Sequence, residues 1–114
     1  MKSFIIFLLL FTNIFAIDYG ELFFNGNCVT CHYVNEKKSA PSINEIRENY
    51  LRAFQKEEDF VNYLSIWVLK PNEEMSIMKH SIEEFGLMPE LAYDKYTLKE
   101  IAKYIYKTDF NKLP

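Results

Sequence analysis

The chain has 114 residues, 49% of them hydrophobic and 25% charged, and a formal net charge of -3. That length fits one domain, and the acidic balance argues against a nucleic-acid partner, which calls for a basic face. The two cysteines, Cys28 and Cys31, sit together, so no disulfide framework staples distant segments.

The first 16 residues read as a secretory signal peptide. Lys2 precedes an apolar run from Phe4 to Phe11, and Ala16 offers a small residue at the exit. The alternative is a retained N-terminal anchor, but the run from Phe4 to Ile17 falls short of the roughly 20 residues that span a bilayer. No cysteine lies near the cut to carry a lipid, and no later segment is apolar enough to cross a membrane. The expected mature domain is 17–114, located in the periplasm. It keeps 12 basic and 16 acidic residues, a net -4. A domain of this size buries a modest core and often needs a metal, disulfide or cofactor. Its many Phe and Tyr residues suit packing around a large flat ligand, and suit an ordinary core equally well.

Helical periodicity recurs along the rest, and no long period-2 alternation appears. A first helix is expected from Asp18, a good N-cap, to Phe24, with Asn25, Gly26 and Asn27 stopping it. After the cysteines, a polar loop from Asn35 to Ala40 ends at Pro41. Ser42 and Glu45 form a capping box for a second helix, with Ile43, Ile46, Tyr50 and Leu51 on one face. Asp59 begins a third, with Phe60, Leu64, Trp67 and Val68 at helical spacing, and Pro71 either ends it or starts the next. A fourth is expected from Asn72 to Phe85, carrying Met75, Met78 and Ile82 on one stripe, with Gly86 as its stop. Thr97 and Glu100 form a second capping box, and Leu98, Ile101, Ala102 and Ile105 line the last helix. The predicted fold is all-α, with four to five short helices.

Cys28-Val29-Thr30-Cys31-His32 is C-x-x-C-H, the attachment pattern for haem c. Two intervening residues let the two thiols add to neighbouring vinyl groups of one haem. The next residue, His32, then presents its imidazole to the iron, and its other ring nitrogen should donate to a backbone carbonyl. One segment thus supplies two covalent tethers and one axial ligand. Two other chemistries use the same residues. A thiol–disulfide motif is also C-x-x-C, but it usually opens a helix after a strand. A zinc site built only from Cys and His would need both His32 and His80.

Met88, in Gly86-Leu87-Met88-Pro89, is the candidate second axial ligand. A thioether raises the potential relative to stronger donors; Gly86 lets the backbone turn and Pro89 stiffens it. Met75 and Met78 read as core filler. His80, off the apolar stripe, reads as a surface histidine.

With these motifs in place, the chain resembles the class I c-type cytochromes, small monohaem proteins, from Gly20 to about Tyr106. Gly20, Phe24 and Cys28 match the family's spacing of glycine, aromatic and first cysteine. The resemblance implies that Gly20 and Phe24 pack where the first and last helices cross, with Tyr104 or Ile105 as partners. It implies that the Pro41 carbonyl accepts from His32, and that Met88 and Pro89 form the ligand loop. The implied fold is a cytochrome c-like wrap around one covalently attached haem. Tyr33 departs from the glycine many relatives carry after the histidine, and Leu51 to Lys70 does not align well. Trp67 either lines the haem pocket, bonds a propionate, or simply packs in the core.

The function expected on this basis is that of an electron carrier in a periplasmic respiratory chain rather than an enzyme, with haem iron cycling between ferric and ferrous. Its partners would be exported or membrane-bound redox proteins, and the protein itself a monomer. The competing readings are a haem sensor or enzyme with a labile sixth ligand, and a thiol–disulfide protein without haem. Lys37, Lys38, Lys79 and Lys95 could ring the haem edge and steer partners, or serve as ordinary solubilising charges.

Overall fold

The computed structural model describes residues 18–112, so the signal peptide expected over 1–16 lies outside the described residues. Five α-helices follow in order: α1 (Tyr19–Asn27), α2 (Ile43–Ala53), α3 (Glu57–Leu69), α4 (Lys79–Phe85) and α5 (Lys95–Lys107). A 3-10 turn at Phe110–Lys112 follows. There is no strand among the described residues, which is the all-α architecture expected from the periodicity. None of these helices is long and apolar enough to cross a membrane.

Several boundaries differ from those expected. Helix α1 runs through Asn25, Gly26 and Asn27 rather than stopping at Phe24. Those residues are weak helix formers, but none lacks an N–H, and the ladder continues to Cys28 N–H on the Phe24 carbonyl at 2.9 Å. Helix α3 starts at Glu57, two residues before Asp59. Its N-cap Lys56 makes no side-chain cap bond, but Glu57, Glu58 and Asp59 all fall in the first turn, where the helix dipole favours anions.

The expected helix from Asn72 is shortened to α4. Asn72 Oδ1 accepts the Glu74 amide at 2.9 Å, Ser76 Oγ accepts the Met78 amide at 3.0 Å, and these local bonds hold 72–78 in turns. Met75 is consequently 55% exposed rather than core, whereas Met78 is buried.

The caps also resolve differently. Ser42 Oγ accepts the Glu45 amide at 3.2 Å, but the Glu45 carboxylate is directed to Lys37 and His80, so only half of that capping box forms. For α5 the cap is Asp94, not Thr97: the Asp94 carboxylate accepts from both the amide and the hydroxyl of Thr97. Glu100 pairs with Lys103 instead of closing a box.

The core sits where α1 and α3 both pack against α5. Leu98, Ile101, Ala102 and Ile105, the predicted stripe, are all buried, and Tyr104 joins them. The Phe24 ring lies 5.2 Å from Tyr104 and 5.5 Å from Phe110. Phe60 on α3 meets Tyr106 edge-on at 5.1 Å. Burial of each of these rings contributes up to about 3 kcal/mol relative to exposure. At the crossing, a Cβ on Gly20 would lie 2.3 Å from the Glu100 carbonyl oxygen and 2.9 Å from Tyr104 Cβ. Only the absence of a side chain permits that approach. Arg47 ties α2 to the end of α5, donating to the Ile105 and Tyr106 carbonyls at 2.9 and 3.0 Å. These bonds satisfy acceptors that a helix C-terminus leaves open.

Candidate functional site

The extension of α1 aims the cysteine segment. Past Asn27 the chain continues as a turn, with His32 N–H on the Cys28 carbonyl at 3.0 Å. The two cysteines and the histidine are thereby drawn together at the C-terminal end of a helix. The loop after them folds back on α2: Tyr33 and Val34 carbonyls accept the Ile43 and Asn44 amides at 2.9 and 3.1 Å. That return brings Pro41 beside His32, whose Nδ1 lies 2.9 Å from the Pro41 carbonyl oxygen. A carbonyl can only accept, so this contact puts the proton on Nδ1. Nε2 then keeps its lone pair, the form needed to bind a metal.

These residues open onto a cleft of about 300 Å³, lined by Cys28, Cys31, His32, Pro41, Trp67 and Met88 among others. Every candidate site residue named from the sequence therefore reaches one cavity. The rest of its lining is predominantly apolar, drawn from α2, α3, α4, α5 and the loop after α4. Gly86 ends α4 with φ 87° and ψ 170°, a region open essentially to glycine alone. That turn swings Met88 to the cleft. Met78 also lines it and is more deeply buried than Met88.

Trp67 lines the cleft, but its indole N–H donates to the Asn72 carbonyl at 2.9 Å. The donor is therefore spent within the protein rather than held for a bound carboxylate. His80 does not line the cleft; it is exposed, with Nε2 3.3 Å from Glu45 Oε1. Of the four lysines considered for steering, Lys37 pairs with Glu45 at 3.5 Å. Lys38 pairs with Glu36 at 3.7 Å and lies 4.8 Å over the Tyr33 ring.

One contact was not legible from the sequence. Tyr93, just before α5, donates to Asn27 Oδ1 at 3.2 Å, joining the end of α1 to the Met88 loop across 66 residues. Loss of solvent, and then the nearby Cys28 and Cys31, push its phenol above the ordinary value. No local pattern marks such a pair, since neither residue belongs to a periodic stripe.

The surroundings of the cysteines discriminate between chemistries. Burial pushes the Cys28 thiol up to about 11, and the negative end of α1 also disfavours a thiolate there. Thiol–disulfide catalysis uses the opposite arrangement, a thiol lowered at a helix N-terminus. Among the described residues no three His, Cys, Asp or Glu side chains converge to hold a metal ion. The zinc alternative needs His80 beside His32 and the cysteines, and His80 lies outside the cleft, paired with Glu45. A large, flat, apolar group carrying its own metal matches the donor set: two thiols for covalent attachment, one oriented imidazole, and a thioether at one apolar cavity.

Comparison with known proteins agrees on the family. A family model described as Cytochrome c matches residues 17–109, a span that takes in all five helices. No curated protein and no solved structure matches the chain at significance.

Proposed function

The chain belongs to the cytochrome c family, and from that premise we propose that it is a single-haem electron carrier of a periplasmic respiratory chain. The observation that carries this reading is the convergence of Cys28, Cys31, His32 and Met88 on one apolar cleft, with the His32 ring fixed through Nδ1 by Pro41. When bound, haem c supplies an iron that alternates between ferric and ferrous.

The protein's own groups do the rest. Cys28 and Cys31 tether the group, so it cannot exchange with solvent. His32 would hold the iron through Nε2, and its hydrogen bond to Pro41 fixes the ring orientation and would raise ligand basicity. Met88 would supply a soft thioether to the same iron, and the apolar lining would exclude water; both would favour a high potential. If His32 and Met88 both held the iron, no position on it would be open to a substrate, which suits a carrier rather than an enzyme. Export by the N-terminal segment would place it among exported or membrane-bound redox proteins, its donors and acceptors. The pairing of Lys37 and Lys38 with carboxylates supports a solubilising role for them over steering.

The test is to co-express the chain with a cytochrome c maturation system and record oxidised and reduced spectra with and without carbon monoxide. A low-spin c-type spectrum unmoved by carbon monoxide is expected. Met88→Ala should then admit carbon monoxide and lower the potential, whereas Met78→Ala should cost stability, about 2 to 5 kcal/mol for a buried Met, and leave the iron closed. A wild-type spectrum that shifts with carbon monoxide would favour a sensor or enzyme. A Met88→Ala spectrum identical to wild type would remove Met88 as the ligand.

A further inference from the structure

The stretch that carries Met88 is held by very little. Gly86 ends α4 and Asp94 caps α5. Between them, residues 87–93 make no backbone hydrogen bond among the described residues. Packing is sparse as well, with Leu87 and Leu91 47% and 43% exposed. Among the described residues one hydrogen bond reaches this stretch, from the Tyr93 hydroxyl to Asn27 Oδ1 at 3.2 Å.

The acceptor of that bond is itself oriented. Asn27 Nδ2 donates to the Phe23 carbonyl at 2.7 Å, so Oδ1 is the atom left to face Tyr93. Asn27 is the last residue of α1, and Cys28 follows it. The bond therefore runs from the Met88 loop to the helix end from which the cysteine segment departs. Asn27, Met88 and Tyr93 all line the cleft.

The backbone beside Tyr93 bears a cost. Ala92 has φ 57°, the one positive value at a residue other than glycine among the described residues. A Cβ in that region crowds the following carbonyl, and such a conformation persists only where its surroundings impose it. Here two fixed points lie just beyond it. Asp94 anchors the chain to α5 through Thr97, and Tyr93 anchors it to α1. A segment with so few bonds opens locally before the rest of the protein does, so the loss of one anchor should be felt at Met88 first.

We propose that Tyr93 is a positioning residue for Met88, its hydroxyl on Asn27 acting as the clasp that closes the Met88 loop onto the end of α1. The assignment rests on the reading above in which Met88 holds the iron. It places the thioether and the covalent tethers in one frame, although 60 residues of chain separate Cys28 from Met88. Without the clasp the loop opens more often, while the α1–α5 crossing keeps the fold.

The experiment compares the haem-loaded wild type with Tyr93→Phe, Asn27→Ala, the double variant and Tyr96→Phe. Tyr96 is the control: it lies three residues on, 64% exposed and outside the cleft lining. The readouts are the thioether-to-iron charge-transfer band of the ferric protein, the rate at which saturating free imidazole abolishes it, and the melting temperature. Tyr93→Phe should admit imidazole roughly 3- to 10-fold faster, the weight of one net hydrogen bond, with little change in melting temperature. The double variant should be no faster than the faster single one, because both remove the same bond. Tyr96→Phe should match wild type. An unchanged rate in Tyr93→Phe overturns the assignment, as does an equal acceleration in Tyr96→Phe or a double variant in which the two effects multiply. Should Tyr93→Phe fail to mature, Asn27→Ala reads the same bond from the other side, and an unchanged rate there overturns it. A Met88→Ala protein that keeps the charge-transfer band overturns the ligand reading first, so the two failures are told apart.

Discussion

Where α1 crosses α5 the two backbones meet so closely that a Cβ on Gly20 would sit 2.3 Å from the Glu100 carbonyl oxygen. Beside the cleft, by contrast, α4 is seven residues long, packs little against the other helices, and carries a buried hydroxyl with no partner. The first region is complete as protein: Phe24, Tyr104 and Phe110 fill it with their own rings. The second is a wall around a space that protein atoms leave open. Small domains with a modest core often draw part of their stability from a bound group, and the cleft wall is where such a contribution would be felt.

The sharpest way to break this comparison is to remove the tethers. In Cys28→Ser/Cys31→Ser, amides of Lys79–Phe85 and of the loop to Asp94 should exchange on the order of 100-fold faster or more, an opening easier by roughly 3 kcal/mol. Those of α1 and α5 should lose less. Equal acceleration in both regions would mean that the crossing and the cleft wall are one cooperative unit.

The reverse experiment strikes the crossing. Gly20→Ala forces a backbone carbonyl and a helix apart, and overpacking of this kind typically costs about 1 to 3 kcal/mol. The upper end is expected, because the closest atom is backbone and cannot swing aside. Thermal unfolding of the haem-loaded protein measures it. An unchanged melting temperature would show that the crossing relaxes without strain.

A smaller effect separates the two regions by pH. Asp18 caps α1 through the Glu21 amide and pairs with Lys107 of α5 at 3.1 Å. The hydrogen bond from Lys107 is the largest influence holding its carboxyl below the usual range. Its folded value being depressed, the stability it contributes is present above the ordinary carboxylate value of about 4. That stability is lost as pH falls through the lowered folded value. Asp18→Ala should cost about 1 kcal/mol as a lost cap and make the acid side of the stability curve less steep. A variant with the same acid limb as wild type would place that dependence elsewhere.

Much of the site was legible in the sequence because its signals are local. Cys28, Cys31 and His32 lie within five residues, and Gly86 announces the turn that carries Met88. The Asp18 and Ser42 caps act over three residues, and the α5 stripe repeats at helical spacing, so both were visible too. The misreadings arose where several local partners compete. Asn72 and Ser76 drew the chain into turns ahead of α4. Asp94, one of two acceptors within reach of the same turn, took the α5 cap from Thr97. Glu45 abandoned its capping box for charges on the loop before α2 and on α4, an ion-pair choice that spacing cannot encode.

By itself the sequence determined the all-α class and set Cys28, Cys31 and His32 within one five-residue segment, whereas the approach of Gly20 to the last helix was implied by the family resemblance. The first two depend on periodicity and covalent spacing. Only the tertiary structure decided where the donors point. It spent the Trp67 N–H on Asn72, joined Tyr93 to Asn27, and left the Ser81 hydroxyl buried without a partner. A hydrogen bond is settled by distance and angle between groups far apart in the chain, and those are set only once the helices have packed.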